Sequence, residues 1–448
     1  MYALDDNIVA LATSPGRSAL NIIRCSGPDV ITFLKKITGE TSLVQPSRLV
    51  LRPIINPRTK EHIDRSLVVF FKGPKSYTGD NVVEYSVHGG NVIATKIIKA
   101  LVGLGCRKAL PGEFTYRAFV NGKVDLLQAE AINSIINTNK EITAFYALKN
   151  IDGFLSAPLL KIKDLLVRLI TYIEHELDFT EEEINHVSIK EYSDQLNKII
   201  KKAEKIVFSS FVGSEKETDL EVCIVGKPNA GKSSLFNFLV GQERSIVTKI
   251  SGTTRDFVSA SFVISDASVD FVDTAGIRKT QSPIEAEGIK KTFKKIKSSD
   301  IILFISQKNP RSEFKKLNIK LNNFQKIIFI QNKIDVFDKI KDTGVFHISC
   351  KNREGLSGLQ TELSTWIDKQ KSSFYTKNKY LISSRAKGGL SEFILELKES
   401  SFQLQKNSDL VVFVSSLYCA LEKIKDTVNP VDKNEILNNI FRGFCVGK

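Results

Sequence analysis

Residues 226–233 read GKPNAGKS, which matches the spacing G-x-x-x-x-G-K-[ST]. Gly226 and Gly231 let the backbone curl so that successive N–H groups point at phosphate oxygens, and a helix opening after Lys232 adds its positive end. In that arrangement Asn229, Ala230, Gly231, Lys232, Ser233 and Ser234 surround a phosphate chain, with Lys232 on the β- and γ-phosphates and Ser233 on Mg²⁺. Two more stretches follow, each after an apolar run. In DTAG, at 273–276, Asp273 would reach the Mg²⁺ shell through water and the Gly276 N–H would meet the γ-phosphate, with Thr274 and Ala275 between them. In NKID, at 332–335, Asn332 and Lys333 make the turn and Asp335 would accept from the N1–H and 2-amino groups of guanine. Adenine offers neither donor, and a carboxylate left unpaired costs about 1–3 kcal/mol. Ser349, Cys350 and Lys351 fall where a backbone N–H would contact the base. NKID alone is a commonplace turn; three elements in order point to a guanine nucleotide.

Ile277 stands just after the DTAG glycine, where Ras-like enzymes carry the glutamine that orients water, and an aliphatic side chain cannot do this. Asn229 and the segment TKISGTTRD at 248–256 resemble the potassium-dependent GTPases. That resemblance implies K⁺ held by the Asn229 side chain and by the carbonyls of Thr248, Ile250 and Thr253. The loop through Lys249, Ser251 and Gly252 would wrap over the nucleotide, Thr254 would complete the Mg²⁺ site, and the ion would act in place of an arginine. Glu285 would orient the attacking water through a second water; equally, Glu285 and Glu287 would suit the positive start of a helix. The residues alone leave both readings open.

The elements that must hold these groups follow from the apolar pattern. LEVCIVG, SVDFVDTAG, DIILFIS and KIIFIQNK read as buried strands with helices between them, the alternation of a parallel α/β sheet. Ahead of them, NIVALAT, ALNIIRCSG, SLVVFFKGP and NVVEYSVHGG read as short strands, with helical segments near 28–37 and 91–103. His88 in the last of these reads as a turn or packing residue. Leu159, Ile162, Leu166, Leu169, Ile173 and Leu177 recur at helical spacing, as do Val414, Leu417, Leu421 and Ile424 after the α/β stretch. The expected organisation is an α+β domain at 1–118, a helical domain at 119–217 and 372–448, and a Ras-like P-loop α/β domain at 218–371 inserted into it.

Composition agrees with a globular multidomain chain: 448 residues, 42% hydrophobic, with 64 Lys and Arg against 50 Asp and Glu. The formal charge of +14 favours a polyanionic partner such as RNA. Six cysteines stand singly, without a metal-type pair, which suits a reduced compartment. The most apolar stretch, 410–421, is shorter than the roughly 20 residues of a membrane span. No signal peptide is visible at the N-terminus, so a cytoplasmic protein is expected.

Over nearly its whole length the chain resembles the bacterial tRNA modification GTPases of the MnmE (TrmE) family. The resemblance is carried by IVALATSPGRSALNIIRCSG, YTGDNVVEYSVHGG, RKALPGEFTYRAF, NGKVDLLQAEAI, ELDFTEEEI, the potassium-type motifs and the terminal FCVGK. It implies an N-terminal domain that dimerises and binds a formylated tetrahydrofolate, with contacts falling on Arg24, Glu84, Lys123 and Lys448. Without it, Arg24 and Lys123 read as ordinary surface charges and Glu84 as a strand-face residue. The resemblance further implies GTP as substrate, a homodimer, and a heterotetramer with an FAD-dependent subunit of the MnmG (GidA) type, the flavin residing on that partner. The joint product would be a carboxymethylaminomethyl-type group on carbon 5 of the wobble uridine of certain tRNAs. Ribosome-assembly GTPases share the potassium-type domain but carry a GxxG RNA module or a second such domain, and residues 371–448 contain no GxxG.

There are departures. Asn438 and Asn439 stand where the family usually reads Gly-Arg, Val446 where it has isoleucine, and Pro283 lies close to Glu285. In the tail, Phe444 is expected to anchor the chain so that Lys448 reaches the folate site and Cys445 lies beside the one-carbon donor, where a thiol would serve as nucleophile or proton carrier.

Overall fold

Alternating side chains build the N-terminal sheet. In the computed structural model, strands β1 (Ile8–Leu11), β2 (Leu20–Ser26), β3 (Val50–Ile55), β4 (His62–Phe71), β5 (Val82–His88) and β6 (Arg107–Lys108) lie in the order β3-β4-β5-β2-β1-β6. Every neighbouring pair is antiparallel except β1 with β6. Val9, Ile23, Cys25, Val68, Phe70, Val83 and Tyr85 are buried with the apolar faces of helices α1 (Val30–Thr38) and α2 (Asn91–Leu104). The period of two therefore turns Arg24 and Glu84 to the opposite face. There Ile8, Ala10, Ala109 and Phe114 form a second buried cluster with Tyr77, under helix α3 (Glu113–Val120). Strands β3 and β6 are not apparent from the sequence, because β3 carries Arg52 and Pro53 and β6 is two residues long. Proline is tolerated in β3 because it is an edge strand.

A charged network seats α3. The wholly buried Arg117 reaches the Asp6 carbonyl at 2.8 Å and Asp6 Oδ1 at 2.5 Å. Arg107 donates to Asp6 Oδ2 at 2.8 Å and to both oxygens of the buried Glu113, at 2.5 and 3.0 Å. Burial opposes ionisation of Asp6, yet the two guanidinium groups hold its carboxyl below the usual range.

Helices α4 (Leu126–Asn137), α5 (Glu141–Ile151), α6 (Ser156–Asp178) and α7 (Ile189–Phe208) follow, then the short strand β7 (Ser210–Val212). The chain forms two compact units by its contacts, residues 1–137, 146–210 and 380–448 in one and 138–145 and 211–379 in the other. The structure describes residues 4–40, 45–138, 141–178, 188–213, 220–242, 258–264, 267–273, 296–317, 325–407 and 409–430, with Leu437, Phe441, Phe444 and Gly447.

The second unit is a doubly covered sheet. Strands β8 (Leu220–Gly226), β9 (Val258–Ile264), β10 (Ala267–Asp273), β11 (Ile301–Ser306), β12 (Lys326–Asn332) and β13 (Val345–Ile348) lie in the order β13-β12-β11-β8-β10-β9. All neighbours are parallel except β10 with β9. Helices α8 (Lys232–Gln242) and α10 (Leu356–Lys377) pack on one face through Leu235, Phe236, Leu359 and Leu363, and α9 (Pro310–Lys315) covers part of the other through Phe314. Strand β8 lies between β10 and β11, so the loop at its carboxyl end opens where the strand order reverses, the usual ligand crevice of such sheets.

Strand β14 (Tyr380–Ile382) leads into α11 (Ser384–Asn407) and α12 (Leu410–Val428), which complete a four-helix bundle with α6 and α7. Leu159, Ile162, Leu166, Leu169 and Ile173 face its core, as do Val414, Leu417, Leu421 and Ile424. Leu177 does not: it is 41% exposed, so the apolar stripe of α6 stops one turn before the helix does. Capping fixes the helix starts, with the Ser188 hydroxyl accepting from the Glu191 N–H and Asp409 from the N–H groups of Val411 and Val412. No helix among the described residues is long and apolar enough to cross a membrane.

Candidate functional site

The loop between β8 and α8 has the backbone its residues require. Asn229 sits at φ 63° and Gly231 at φ 101°. A Cβ on Gly231 would collide with Nδ2 of Asn332, so glycine is what lets the NKID turn close on this loop. Asn332 joins three segments: its Nδ2 donates to the Ala230 carbonyl at 2.8 Å, and its Oδ1 accepts from the Cys350 N–H at 3.2 Å. The buried Lys232 donates to the Lys227 carbonyl at 3.2 Å, which curls the loop around its ammonium. Ser233 and Ser234 are exposed at the start of α8. Asp273 is the last residue of β10, in register with Ile224 of β8, so its backbone lies at the same end of the sheet as the loop.

At the other side, Lys333 takes φ 63° and Asp335 is exposed. The buried Ser349 donates its hydroxyl to Asp335 Oδ1 at 2.7 Å and accepts from the Asn352 N–H at 3.1 Å. The Ser349 bond, helped by Lys351 and Lys333, holds the Asp335 carboxyl below its ordinary range and so keeps it an acceptor. Burial pushes the Cys350 thiol up to about 11, with the Asn332 bond opposing and Asp335 adding, so this cysteine is neutral. A phosphate cradle thus faces a carboxylate suited to paired N–H donors. Sequence reasoning missed two supports: Gln307, which donates to the Asn229 carbonyl at 2.6 Å, and Glu313, which binds Lys227 at 2.8 Å and the Ser306 hydroxyl at 2.9 Å.

Several expected site residues lie outside the described residues: Thr248, Lys249, Ile250, Ser251, Gly252, Thr253 and Thr254, Thr274, Ala275 and Gly276, Glu285, Cys445 and Lys448. Pro283, Asn438, Asn439 and Val446 do too.

In the N-terminal sheet, Arg24 and Glu84 are direct cross-strand neighbours, and Arg24 Nε meets Glu84 Oε1 at 2.7 Å. The guanidinium lies over the rings of Tyr77, at 5.3 Å, and Phe114, at 5.7 Å. Arg24 is therefore a half-buried, stacked and paired cation rather than a plain surface charge. A cavity of about 330 Å³ opens beside the pair, lined by Phe71, Lys75, Tyr77, Glu84 and Lys123 among others. Lys123 is delivered by a glycine turn: the Gly122 N–H bonds the Phe119 carbonyl and the Lys123 N–H that of Ala118, with Gly122 at φ 66°. Its ammonium reaches the Pro74 carbonyl at 3.0 Å. One carboxylate, two ammonium groups and an aromatic wall suit a flat heterocycle with N–H donors and an anionic tail. Tyr77 and Phe114 lie within the quoted stretches YTGDNVVEYSVHGG and RKALPGEFTYRAF, and Lys75 lies outside them, but no local spacing assigns any of the three to a cavity.

The C-terminal tail rests on this domain. Phe441 and Phe444 are buried with Leu437 against Tyr116, Leu126 and Ala129, Phe441 meeting Tyr116 edge-on at 5.4 Å. Phe444 anchors the tail as expected, and Phe441 is the more deeply buried of the two. Arg24 Nη1 donates to the Gly447 carbonyl at 3.2 Å. His88 differs from expectation: it ends β5 with its ring mostly exposed, its Nδ1 2.7 Å from Oδ1 of the buried Asp64. That carboxylate orients the ring, and packing does not.

Comparison with known proteins accounts for both halves of this architecture. Residues 7–123 match the family described as GTP-binding protein TrmE N-terminus, and residues 126–445 match the MnmE helical domain. Relatives named tRNA modification GTPase MnmE include one from Flavobacterium psychrophilum, 35% identical over 99% of both chains. Others come from Legionella pneumophila, at 34%, and Francisella tularensis, at 35%, again over 99% of each chain. With sheet, bundle, inserted nucleotide fold and full-length identity all in agreement, the chain belongs to the MnmE (TrmE) family of tRNA modification GTPases.

Proposed function

We propose that this chain hydrolyses GTP, using Mg²⁺ and K⁺, to support the addition of a carboxymethylaminomethyl-type group to carbon 5 of the wobble uridine of certain tRNAs. It does so as a homodimer, in complex with an FAD-dependent subunit of the MnmG type, with a formyl-tetrahydrofolate as one-carbon donor. The observation that carries the reading is Asn332, which ties the phosphate loop, the NKID turn and the Ser349–Lys351 segment into one frame with Asp335 at the base end.

In that frame the loop N–H groups and Lys232 hold the β- and γ-phosphates, and Asp335 selects guanine. Ser233 and Thr254 are the ligands proposed for Mg²⁺, and Asn229 with the carbonyls of Thr248, Ile250 and Thr253 those for K⁺. The exposed, left-handed Asn229 beside the cradle supports the second set. When bound, the two cations would supply charge neutralisation at the phosphates that these residues surround. Glu285 orients the attacking water. In the N-terminal domain Glu84 accepts from the pterin N–H groups, while Arg24, Lys123 and Lys448 take the anionic portions; the folate supplies the one-carbon unit. Cys445 is the thiol proposed to act on the donor, as nucleophile or proton carrier.

The reading is tested by GTP turnover in KCl against NaCl and by Glu285→Ala. Faster turnover in K⁺ and retained GTP binding with lost hydrolysis are expected; equal rates in the two salts would sink the potassium mechanism. Nucleoside analysis of tRNA from cells lacking the protein should show an unmodified wobble uridine. Cys445→Ser should abolish modification and spare hydrolysis.

A further inference from the structure

The corner between α5 and α6 holds a second feature that neither the nucleotide site nor the folate cavity uses. Helix α5 ends in a glycine turn, with the Gly153 N–H bonded to the Asn150 carbonyl at 2.9 Å and the Phe154 N–H to the Lys149 carbonyl at 3.1 Å. Gly153 adopts φ 83°, the left-handed conformation this turn needs. Such a turn usually folds its apolar residue back on the helix, yet Phe154 stays 43% exposed. Its ring lies against that of Tyr380, with centroids 5.2 Å apart and planes inclined by 35°. The Lys149 ammonium sits 5.3 Å from the Phe154 centroid and 5.7 Å from that of Tyr146. A cavity of about 490 Å³ opens here, with Lys149 and Lys161 both in its lining and Asp152 as its carboxylate.

An aromatic pair with one exposed ring, Phe154, and one half-buried ring, Tyr380, with two ammonium groups in the same cavity lining, is a combination that binds single-stranded nucleic acid: a base stacks on the exposed ring and its phosphate meets the cations. The chain's formal charge of +14 supplies the matching field. We propose that this corner binds one unpaired nucleotide of the tRNA, its base on Phe154 and Tyr380 and its phosphate between Lys149 and Lys161. The proposal rests on the tRNA reading given above and names where on this chain the RNA is held.

The test uses the full-length protein and an unmodified tRNA transcript, with affinity followed by fluorescence anisotropy over a salt series. Phe154→Leu keeps an apolar side chain but removes the stacking ring, and should weaken binding about 5- to 30-fold. Lys149→Gln with Lys161→Gln should reduce the slope of log Kd against log salt by about 1.4, roughly 0.7 for each lost phosphate contact. GTP hydrolysis in the absence of RNA should be unchanged in these variants, which reports that they fold. Wild-type affinity and slope in both variants would overturn the site and leave the tRNA reading standing. Failure of the wild type to bind tRNA would overturn both. Should a variant misfold, photo-cross-linking of 4-thiouridine-containing tRNA to the wild type decides: adducts within 146–161 support the site, and their absence there removes it.

Discussion

Arg24 in the second strand donates to the carbonyl of Gly447, the penultimate residue, at 3.2 Å, while its Nε holds Glu84 at 2.7 Å. One guanidinium thus connects the chain's two ends to the carboxylate of the proposed folate cavity. A ligand that draws on Glu84 in the proposed cavity would therefore act on the same guanidinium that holds the Gly447 carbonyl.

Arg24→Lys keeps the charge but cannot serve two acceptors with one planar group. Folate affinity should fall by about tenfold or more, the C-terminal peptide should become more sensitive to protease, and GTP hydrolysis should not change. Unaltered folate binding by calorimetry would separate Arg24 from the cavity.

Gly112→Ala tests the other anchor. Gly112 takes φ 68°, and a Cβ there would come within 2.5 Å of the Phe441 carbonyl and 3.1 Å of Phe444 Cβ. The strain and the displaced tail should cost about 1–3 kcal/mol in thermal or urea unfolding of the first unit. tRNA modification should fall with it while nucleotide affinity stays.

Asp335→Asn replaces an acceptor of two N–H groups with an amide that can donate. GTP affinity should drop at least about tenfold, and xanthine nucleotides, which present a carbonyl at position 2, should gain affinity. Competition with a fluorescent GTP analogue measures both; retention of guanine preference would dismiss the assigned role.

Asp64 gives an acid-dependent prediction. Burial opposes its ionisation, but the His88 N–H, the His88 ring and the Arg65 N–H together hold its carboxyl below the ordinary value. A group depressed in the folded state stabilises above its unfolded pKa of about 4, and that contribution is lost as pH falls through the folded value. Asp64→Asn should therefore be destabilised relative to wild type near neutrality, and the gap between their urea midpoints should narrow below about pH 4. A gap independent of pH would show that Asp64 acts by shape alone.

The nucleotide site was legible because its groups sit on short motifs at the ends of apolar strands, where local spacing dictates backbone direction. Asn332 as the joint between three of them was not, since its partners Ala230 and Cys350 belong to other loops. Arg24 and Glu84 are 60 residues apart and Arg24 and Gly447 are 423 apart, so residue type alone leaves them as unrelated charges. The helical stripes were readable up to Ile173, while Leu177 repeats the period beyond the point where a partner helix covers it. Strand β3 escaped because an edge strand tolerates the proline that a central one would not.

The bundle made by α6 and α7 with α11 and α12 has a consequence for biosynthesis. Its first pair leaves the ribosome with an uncovered apolar face, and the partners that cover it follow only after residues 211–379 have been made. At about 5–20 residues per second that face waits on the order of 10–30 s, long enough for the intervening P-loop unit to fold first. Leu159 to Ile173 therefore wait for their covering helices through the synthesis of the whole P-loop unit, which has time to fold before the scaffold that carries it is closed.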